Sequence, residues 1–205
     1  MKVAVLMSGG VDSTVAALLL KEQGHEVTGL TMINWKSEVA AQAADAASVL
    51  GIPHIIVNLQ DQFQEKIIDY FTAVYEQAQT PNPCVACNRL IKFGSLLDYA
   101  LDLGFDMIAT GHYARIEYDA ARNRYLLKKG KDLSKDQSYF LYGLDQKQLG
   151  HTLFPLGELT KDEIRNLARG RNLEAAEAKI ARRFVLLPAT TATFFRESCN
   201  LSLVR

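Results

Sequence analysis

The chain has 205 residues, of which 48% are hydrophobic and 22% charged, and its 23 basic and 23 acidic residues leave no net charge. Such a composition is typical of a soluble globular protein, and the length predicts one main domain with room for a small second module. Zero net charge excludes a general attraction to nucleic acid, so an RNA partner would have to meet a local basic patch. The N-terminus turns polar too early for a secretory signal and the apolar runs are too short to span a membrane, so we expect a cytoplasmic protein.

Strand-like and helix-like segments alternate from the first residues to about residue 110. Short apolar runs predict strands, and amphipathic or alanine-rich stretches predict helices, two of which end at Gly24 and Gly51. The predicted strands are residues 3–7, 26–33, 54–59 and 107–110, and the predicted helices are residues 11–24, 38–51, 61–79 and 88–103. This alternation predicts an α/β fold with a doubly wound, mostly parallel sheet. Ligands of such sheets bind beyond the carboxyl ends of the strands.

The pattern changes in the second half of the chain. Residues 113–130 contain two alternating runs around a polar turn, which predicts a β-hairpin. Residues 145–178 are predicted to be helical, and Thr160 to Glu163 fit a capping box at a helix start. The tail has no clear period and resembles nothing upstream. The predicted parts are a catalytic domain over 1–130, the start of a helical region over 131–178, and an atypical tail over 179–205.

A glycine turn, Ser8-Gly9-Gly10-Val11-Asp12-Ser13, joins the first strand to the first helix. Its glycines allow a tight turn and a close ligand approach, and the free N–H groups of the helix start suit a phosphate. Ser8, Ser13 and Thr14 add hydroxyl donors, while Asp12 suits a Mg²⁺ that bridges phosphate oxygens. The turn lacks the Gly-Lys-Ser/Thr of a Walker loop. A plain capped strand–helix turn is the alternative interpretation.

The stretch TPNPCVACNRLIKFG holds Cys84 and Cys87, and Cys199 is the third cysteine of the chain. A reducing compartment argues against a resting disulfide framework. A zinc site would need Cys199 and a histidine to complete its four ligands, and an iron–sulfur cluster would use all three cysteines. We expect neither and favour a catalytic thiol. Cys87 is the better candidate because we place it near a helix start, where the helix dipole lowers a thiol pKa.

Five motifs occur in order: SGGVDST, TPNPCVACNRLIKFG, DMIATGHYARI, SKDQSYFLYGL and FPLGELTKDEIRNLA. The first resembles the pyrophosphate loop (PP-loop) of ATP-pyrophosphatases, which split ATP into AMP and pyrophosphate to adenylate a substrate. Together the motifs closely resemble the tRNA-specific 2-thiouridylase (MnmA) family, over about residues 1–178. The resemblance implies that ATP, with Mg²⁺, adenylates the C2 oxygen of a wobble uridine in tRNA. Sulfur from a cysteine persulfide then replaces AMP to give 2-thiouridine, and a cysteine desulfurase or sulfur-relay protein donates it.

The resemblance also assigns residues position by position. It implies that Cys87 is the first catalytic cysteine, and Asp12 is the second catalytic candidate through its Mg²⁺. The implied ATP contacts are Met7, Ser8, Gly9, Gly10, Val11, Asp12, Ser13, Thr14, Met32 and Gly111. The implied tRNA contacts are Asn82, Pro83, Cys84, His112, Lys135, Asp136 and Gln137. A purely structural role is the alternative for several of these residues, because a methionine in a strand or a hydrogen-bonded histidine is often structural.

The chain departs from the family pattern near its end. The family places a second, persulfide-carrying cysteine where residues 177–184 read EAKIARRF, without a cysteine, and Cys199 does not match it. The family also continues into a tRNA-binding region and a β-rich domain. We therefore expect impaired sulfur transfer, and one hypothesis is that residues 179–205 reflect a frameshift or an altered terminus. The alternatives are an ammonia-using PP-loop ligase, which needs no cysteine, and a truncated ATP-binding protein without turnover.

Overall fold

The computed structural model describes residues 1–33 and 38–173. Cys199, residues 177–184 and the predicted tail over 179–205 lie outside the described residues. Among the helices of the described ranges, none is long and apolar enough to cross a membrane.

The structure alternates strands and helices as the sequence predicts. The strands are β1 (Lys2–Leu6), β2 (Glu26–Ile33), β3 (His54–Asn58), β4 (Met107–Ala109), β5 (Ala114–Asp119), β6 (Arg124–Lys129) and β7 (Thr152–Leu153). The helices are α1 (Val11–Glu22), α2 (Glu38–Leu50), α3 (Gln60–Phe63), α4 (Tyr70–Glu76), α5 (Pro83–Cys87), α6 (Leu96–Asp102), α7 (Gln146–Gly150) and α8 (Lys161–Gly170). Gln64–Asp69 joins α3 to α4 and Asn88–Ser95 joins α5 to α6 as π-helical segments, and Ser138–Leu141 forms a 3₁₀ turn.

A five-stranded parallel sheet in the order β3-β2-β1-β4-β7 forms the centre of the fold. Alternate residues of β1 face opposite sides, because side chains of a strand alternate. Val3 and Val5 pack with α1 and α2 on one side, whereas Ala4 packs with the side chains of the π-helical and α6 segments on the other. The predicted doubly wound α/β fold is confirmed. The strand order reverses between β1 and β4, where such sheets bind their ligands.

Two features differ from the sequence-based expectation. Residues 145–178 are not wholly helical, because Thr152–Leu153 adds the fifth strand by pairing with β4. A two-residue strand is too short to show a hydrophobic period in the sequence, so it is recognised only by its pairing with β4. The helix expected from Asn88 instead begins at Pro83. The domain boundaries at 130 and 178 stay a prediction, although the sheet takes β7 from the predicted helical region.

Local signals explain the elements that agree. Strand β2 has the predicted bounds, and β5 and β6 pair antiparallel as the expected hairpin. Helix α8 begins with the predicted capping box, in which Thr160 and Glu163 exchange side-chain and backbone hydrogen bonds. Gly24 and Gly51 follow α1 and α2 with φ angles of +82° and +60°, which favour glycine at a helix end.

Candidate nucleotide site and cysteine helix

The glycine turn presents the start of α1 at the carboxyl edge of the sheet. Gly10 precedes α1 in an extended conformation (φ −80°, ψ 157°), and no described side chain caps the helix. The first N–H groups of α1 are therefore available to an anion. Ser13 Oγ and Thr14 Oγ1 each donate to the Gly10 carbonyl at 3.0 Å. These two hydroxyls brace the turn, whereas Ser8 is exposed.

Two glycines let neighbouring elements close on this turn. Gly9 has a φ of +72°, and a Cβ there would lie 2.5 Å from the Gln42 Cβ of α2. Gly111, after β4, would place a Cβ 2.9 Å from the Asp12 carbonyl carbon. Both positions therefore need glycine, because the turn is held between α2 and the loop that follows β4.

The two methionines of the predicted ATP site lie in different surroundings. The Met7 side chain is 3% exposed and packs against Gly29, and its backbone N–H donates to the Leu30 carbonyl at 2.9 Å. The Met7 carbonyl accepts from Thr31 Oγ1 at 2.8 Å. Met32 lies near the end of β2, half-buried at the edge of an apolar cluster. Met32 is thus placed where a ligand at the strand ends could contact it.

Asp12 is the centre of a polar group assembled from three parts of the chain. Its Oδ1 accepts from Lys161 Nζ at 2.6 Å and from the Tyr113 hydroxyl at 2.8 Å. Burial, with the Asp12 charge as the second cause, raises the pKa of the Tyr113 phenol far above its usual range. The phenol is therefore a fixed hydrogen-bond donor to Asp12 at neutral pH.

The segment predicted to contact tRNA divides into an exposed and a structural part. Gln137 bonds twice to Tyr113: its Oε1 accepts from the Tyr113 N–H at 3.0 Å, and its own N–H donates to the Tyr113 carbonyl at 2.9 Å. Asp136 Oδ1 accepts from the Gly130 N–H at 2.8 Å. Lys135 is exposed. Gln137 thus holds Tyr113 and Asp136 holds the end of the hairpin at Gly130, whereas a tRNA contact of Lys135 stays a prediction.

The cysteine helix α5 begins with a side-chain cap. Asn82 Oδ1 accepts from the Val85 N–H at 3.2 Å, and Pro83 occupies the first helical position. Cys84, the next residue, is half-buried, and Cys87 is 4% exposed in the apolar core. Both are free thiols. The predicted base contacts at 82–84 therefore lie at the half-buried start of the helix, and the predicted catalytic thiol is buried.

The expected activation of Cys87 by the helix dipole is wrong for this structure. Cys87 is the last residue of α5 and lies one turn away from the helix start. Burial raises the pKa of the Cys87 thiol; the positive charge of Lys92 opposes this shift, and the nearby Cys84 adds to it. Cys87 therefore needs a further change in its surroundings before it becomes a thiolate.

His112 lies between this helix and the glycine turn. Its Nδ1 is 2.7 Å from Thr110 Oγ1, and its ring centroid lies about 6 Å from those of Phe93 and Phe154. Burial, and secondly the charge of Lys92, holds the pKa of the imidazole well below its usual range. The His112 imidazole is thus mainly neutral at pH 7 in the free chain. The charge of Lys92 thus lowers the pKa of both His112 and Cys87, in each case as a smaller effect than burial.

Three residues were missed at the sequence level: Tyr113, Lys161 and Lys92. Lys161 carried a usable signal, because a lysine at the first position of a capped helix faces the positive end of the helix dipole. No group of three or more metal-ligating side chains occurs within residues 1–33 and 38–173. The zinc and iron–sulfur alternatives both involve Cys199, which lies outside these ranges.

A family model described as the tRNA methyl transferase HUP domain matches residues 1–187. The chain belongs to this family. A tRNA-specific 2-thiouridylase MnmA from Syntrophomonas wolfei is 55% identical over 196 residues, which are 96% of this chain and 58% of that relative. The predicted resemblance to tRNA-specific 2-thiouridylases is confirmed, and the family match extends beyond residue 178. The chain spans little more than half the length of the relatives that it matches.

Two solved structures share the fold. A 4-thiouridine synthetase, solved as an RNA complex with bound ATP, superposes with a TM-score of 0.57 at 16% identity, over 87% of this chain and 43% of that one. A predicted subunit of tRNA methyltransferase from Methanocaldococcus jannaschii superposes with a TM-score of 0.53 at 21% identity, over 82% of this chain and 74% of that one. At these identities the likeness concerns the fold alone.

Proposed function

We propose that this chain carries the ATP-cleaving part of a tRNA uridine 2-sulfurtransferase. In this reaction ATP adenylates the C2 oxygen of a wobble uridine, pyrophosphate leaves, and sulfur then replaces AMP to give 2-thiouridine. One observation carries the proposal. The open start of α1 and the cysteine helix α5 are linked through the loop after β4, in which Gly111 packs against Asp12 and the His112 ring lies 6.0 Å from that of Phe93, in the π-helical segment that continues α5.

The first half of the reaction would use the glycine turn. Its N–H groups and the α1 dipole would hold the phosphates of ATP, with Gly111 closing one side and Met32 near the nucleoside. Asp12 would hold Mg²⁺ near the phosphates, and the ion would supply charge neutralisation as pyrophosphate departs. Adenylation turns the C2 oxygen of uridine, a poor leaving group, into part of AMP, a good one.

The second half would use Cys87. The terminal sulfur of a persulfide forms the bond to C2 while the C2–O bond breaks and AMP leaves. The bond between that sulfur and its carrier cysteine must then break, and the Cys87 thiolate would attack the carrier sulfur and form a disulfide with it. An external thiol would reduce this disulfide. The carrier would be supplied by a sulfur-donating protein, because residues 177–184 contain no cysteine.

The tRNA would meet the chain at two places. Asn82, Pro83 and Cys84, at the half-buried start of α5, would contact the target base. Lys135 would contact a phosphate, with Asp136 and Gln137 as its support. His112 would act as a neutral hydrogen-bonding group near the base rather than as a cation. The relative named tRNA-specific 2-thiouridylase, 55% identical over 96% of this chain, supports tRNA as the substrate.

The products of ATP cleavage test the proposal. With tRNA, ATP and Mg²⁺, the chain should release AMP and pyrophosphate, and omission of tRNA should reduce this release. An aminated product that forms from ammonia equally well with Cys87→Ser and with the unaltered chain would instead favour an amidating ligase. ATP binding without any AMP would indicate a binding protein without turnover. Nucleoside mass analysis separates thiolation from the methyl transfer that the family description names.

A further inference from the structure

Two tyrosines next to the 3₁₀ turn present their rings to solvent side by side. Among the phenylalanine and tyrosine residues that the structure describes, Tyr139 and Tyr142 are the two most exposed, at 64% and 67%. Their ring centroids lie 6.0 Å apart, and the Tyr139 ring lies 5.5 Å from that of Phe140. These distances are typical of aromatic rings in contact, so the two tyrosines form one open aromatic surface.

The backbone that carries the two tyrosines is held against the cysteine helix. The side-chain amide of Asn88, a residue that is only 3% exposed, donates to the Phe140 carbonyl at 3.0 Å. A Cβ on Gly143 would lie 3.5 Å from Arg89 Cδ and 3.9 Å from Val85 Cγ1, so Gly143 packs against both side chains. The aromatic surface therefore stands on an anchored turn beside α5, which begins with the proposed base contacts at 82–84.

Two exposed cations accompany the aromatic surface. Arg89 contacts the residue after Tyr142, and Lys135 precedes Tyr139 in the chain. Within the described ranges neither cation forms an ion pair with a carboxylate. Unpaired RNA bases stack on tyrosine rings and guanidinium planes, and their phosphates attract lysine and arginine. An RNA strand would therefore use both the rings and the cations, whereas an apolar protein surface would use the rings alone.

We infer that Tyr139 and Tyr142 form a stacking surface for the unpaired tRNA bases that flank the target uridine. An enzyme that modifies a base takes it out of its stack, so the neighbouring bases lose a stacking partner. A tyrosine ring replaces that partner and accepts any base, so the surface contributes affinity and position rather than sequence choice. This inference rests on the proposed tRNA substrate, and it adds the neighbours of the target base to what the chain binds.

Titration of a fluorescently labelled anticodon-arm RNA hairpin with a wobble uridine tests the inference. Tyr139→Ala and Tyr142→Ala should each weaken binding by about fivefold to one hundredfold, and the Phe variants should bind normally, because stacking uses the ring. The loss should be equal at low and high salt, since stacking releases no counterions. Tyr118→Ala is the matched control: it removes another exposed tyrosine, on the hairpin, and should leave RNA affinity unchanged.

A second RNA separates stacking from a general change in the protein. When abasic sites replace the two bases beside the uridine, the Tyr139→Ala/Tyr142→Ala variant should bind this RNA as tightly as the unaltered chain does. An equal loss of affinity for the intact and the abasic RNA would overturn the inference. Unchanged affinity of the double variant for the intact RNA would also overturn it and favour a protein partner. If the unaltered chain bound neither RNA, the proposed tRNA substrate would be wrong as well.

Discussion

Gly111, after β4, lies so close to Asp12 of α1 that a Cβ on Gly111 would stand 2.9 Å from the Asp12 carbonyl carbon. Backbone atoms cannot turn aside as a flexible side chain can. Gly111→Ala should therefore push the loop away from the glycine turn and lower the free energy of unfolding by about 1–3 kcal/mol. The same variant should bind ATP more weakly, as measured by calorimetry.

Gly170→Ala is the matched control for this change. Gly170 is the last residue of α8, and a Cβ there would meet no atom within 4 Å. Alanine in a helix should leave the protein equally stable or stabilise it by about 0.5–1 kcal/mol. Urea denaturation compares the two variants. Equal destabilisation by both would contradict the close packing of Gly111 on Asp12.

The His112 imidazole predicts how stability depends on pH. Its folded-state pKa lies well below the ordinary value of 6.5 because the ring is buried, so the unfolded chain takes up a proton that the folded chain does not. This contribution to stability is complete above pH 6.5 and is lost as the pH falls below it. The loss is at most about 1.4 kcal/mol per pH unit.

His112→Asn removes this titration. Urea denaturation between about pH 5 and 8 should therefore show a flatter profile for the variant than for the unaltered chain. An NMR titration gives the pKa directly. An imidazole resonance of His112 that titrates near the ordinary value would contradict the buried, neutral histidine.

The two cysteines of α5 should differ in reactivity. In a Cys199→Ser background, Cys84→Ser leaves Cys87 and Cys87→Ser leaves Cys84. Cys84 is half-buried and should be alkylated quickly at neutral pH. Cys87 should be alkylated slowly at neutral pH, and its alkylation rate should rise only at higher pH, because burial raises its thiol pKa. Rapid alkylation of Cys87 in the folded protein at neutral pH would contradict this prediction.

The sequence predicted the elements that depend on neighbouring residues, but it could not predict contacts between residues that are far apart in the chain. Strand β2, the hairpin and the capping box depend on neighbouring residues, so their local patterns predicted them. Strand β7 has two residues and depends on its pairing with β4, which no local pattern contains. The contact between Asp12 and Lys161 joins residues 149 positions apart, and only the fold brings them together. The burial of Cys87 likewise depends on packing from several elements.

Lys135 and Gln137 should separate RNA binding from stability. Lys135→Ala removes an exposed charge, so it should leave the free energy of unfolding unchanged, weaken tRNA binding, and reduce the salt slope of binding by about one. Gln137→Ala removes the side-chain acceptor of the Tyr113 N–H and should cost about 1 kcal/mol of stability. Fluorescence titrations over a salt series and urea denaturation measure the two effects. A loss of stability in Lys135→Ala together with unchanged stability in Gln137→Ala would contradict the structural role of Gln137.

Nucleoside mass analysis of tRNA tests the central claim most directly. The chain is incubated for a single turnover with tRNA, ATP, Mg²⁺ and a persulfide-carrying donor protein, without external thiol, beside Cys87→Ser under the same conditions. The account predicts 2-thiouridine with the unaltered chain, and AMP formation without 2-thiouridine in Cys87→Ser. Equal amounts of 2-thiouridine in both, or a tRNA that stays unthiolated while the unaltered chain releases AMP, would contradict it.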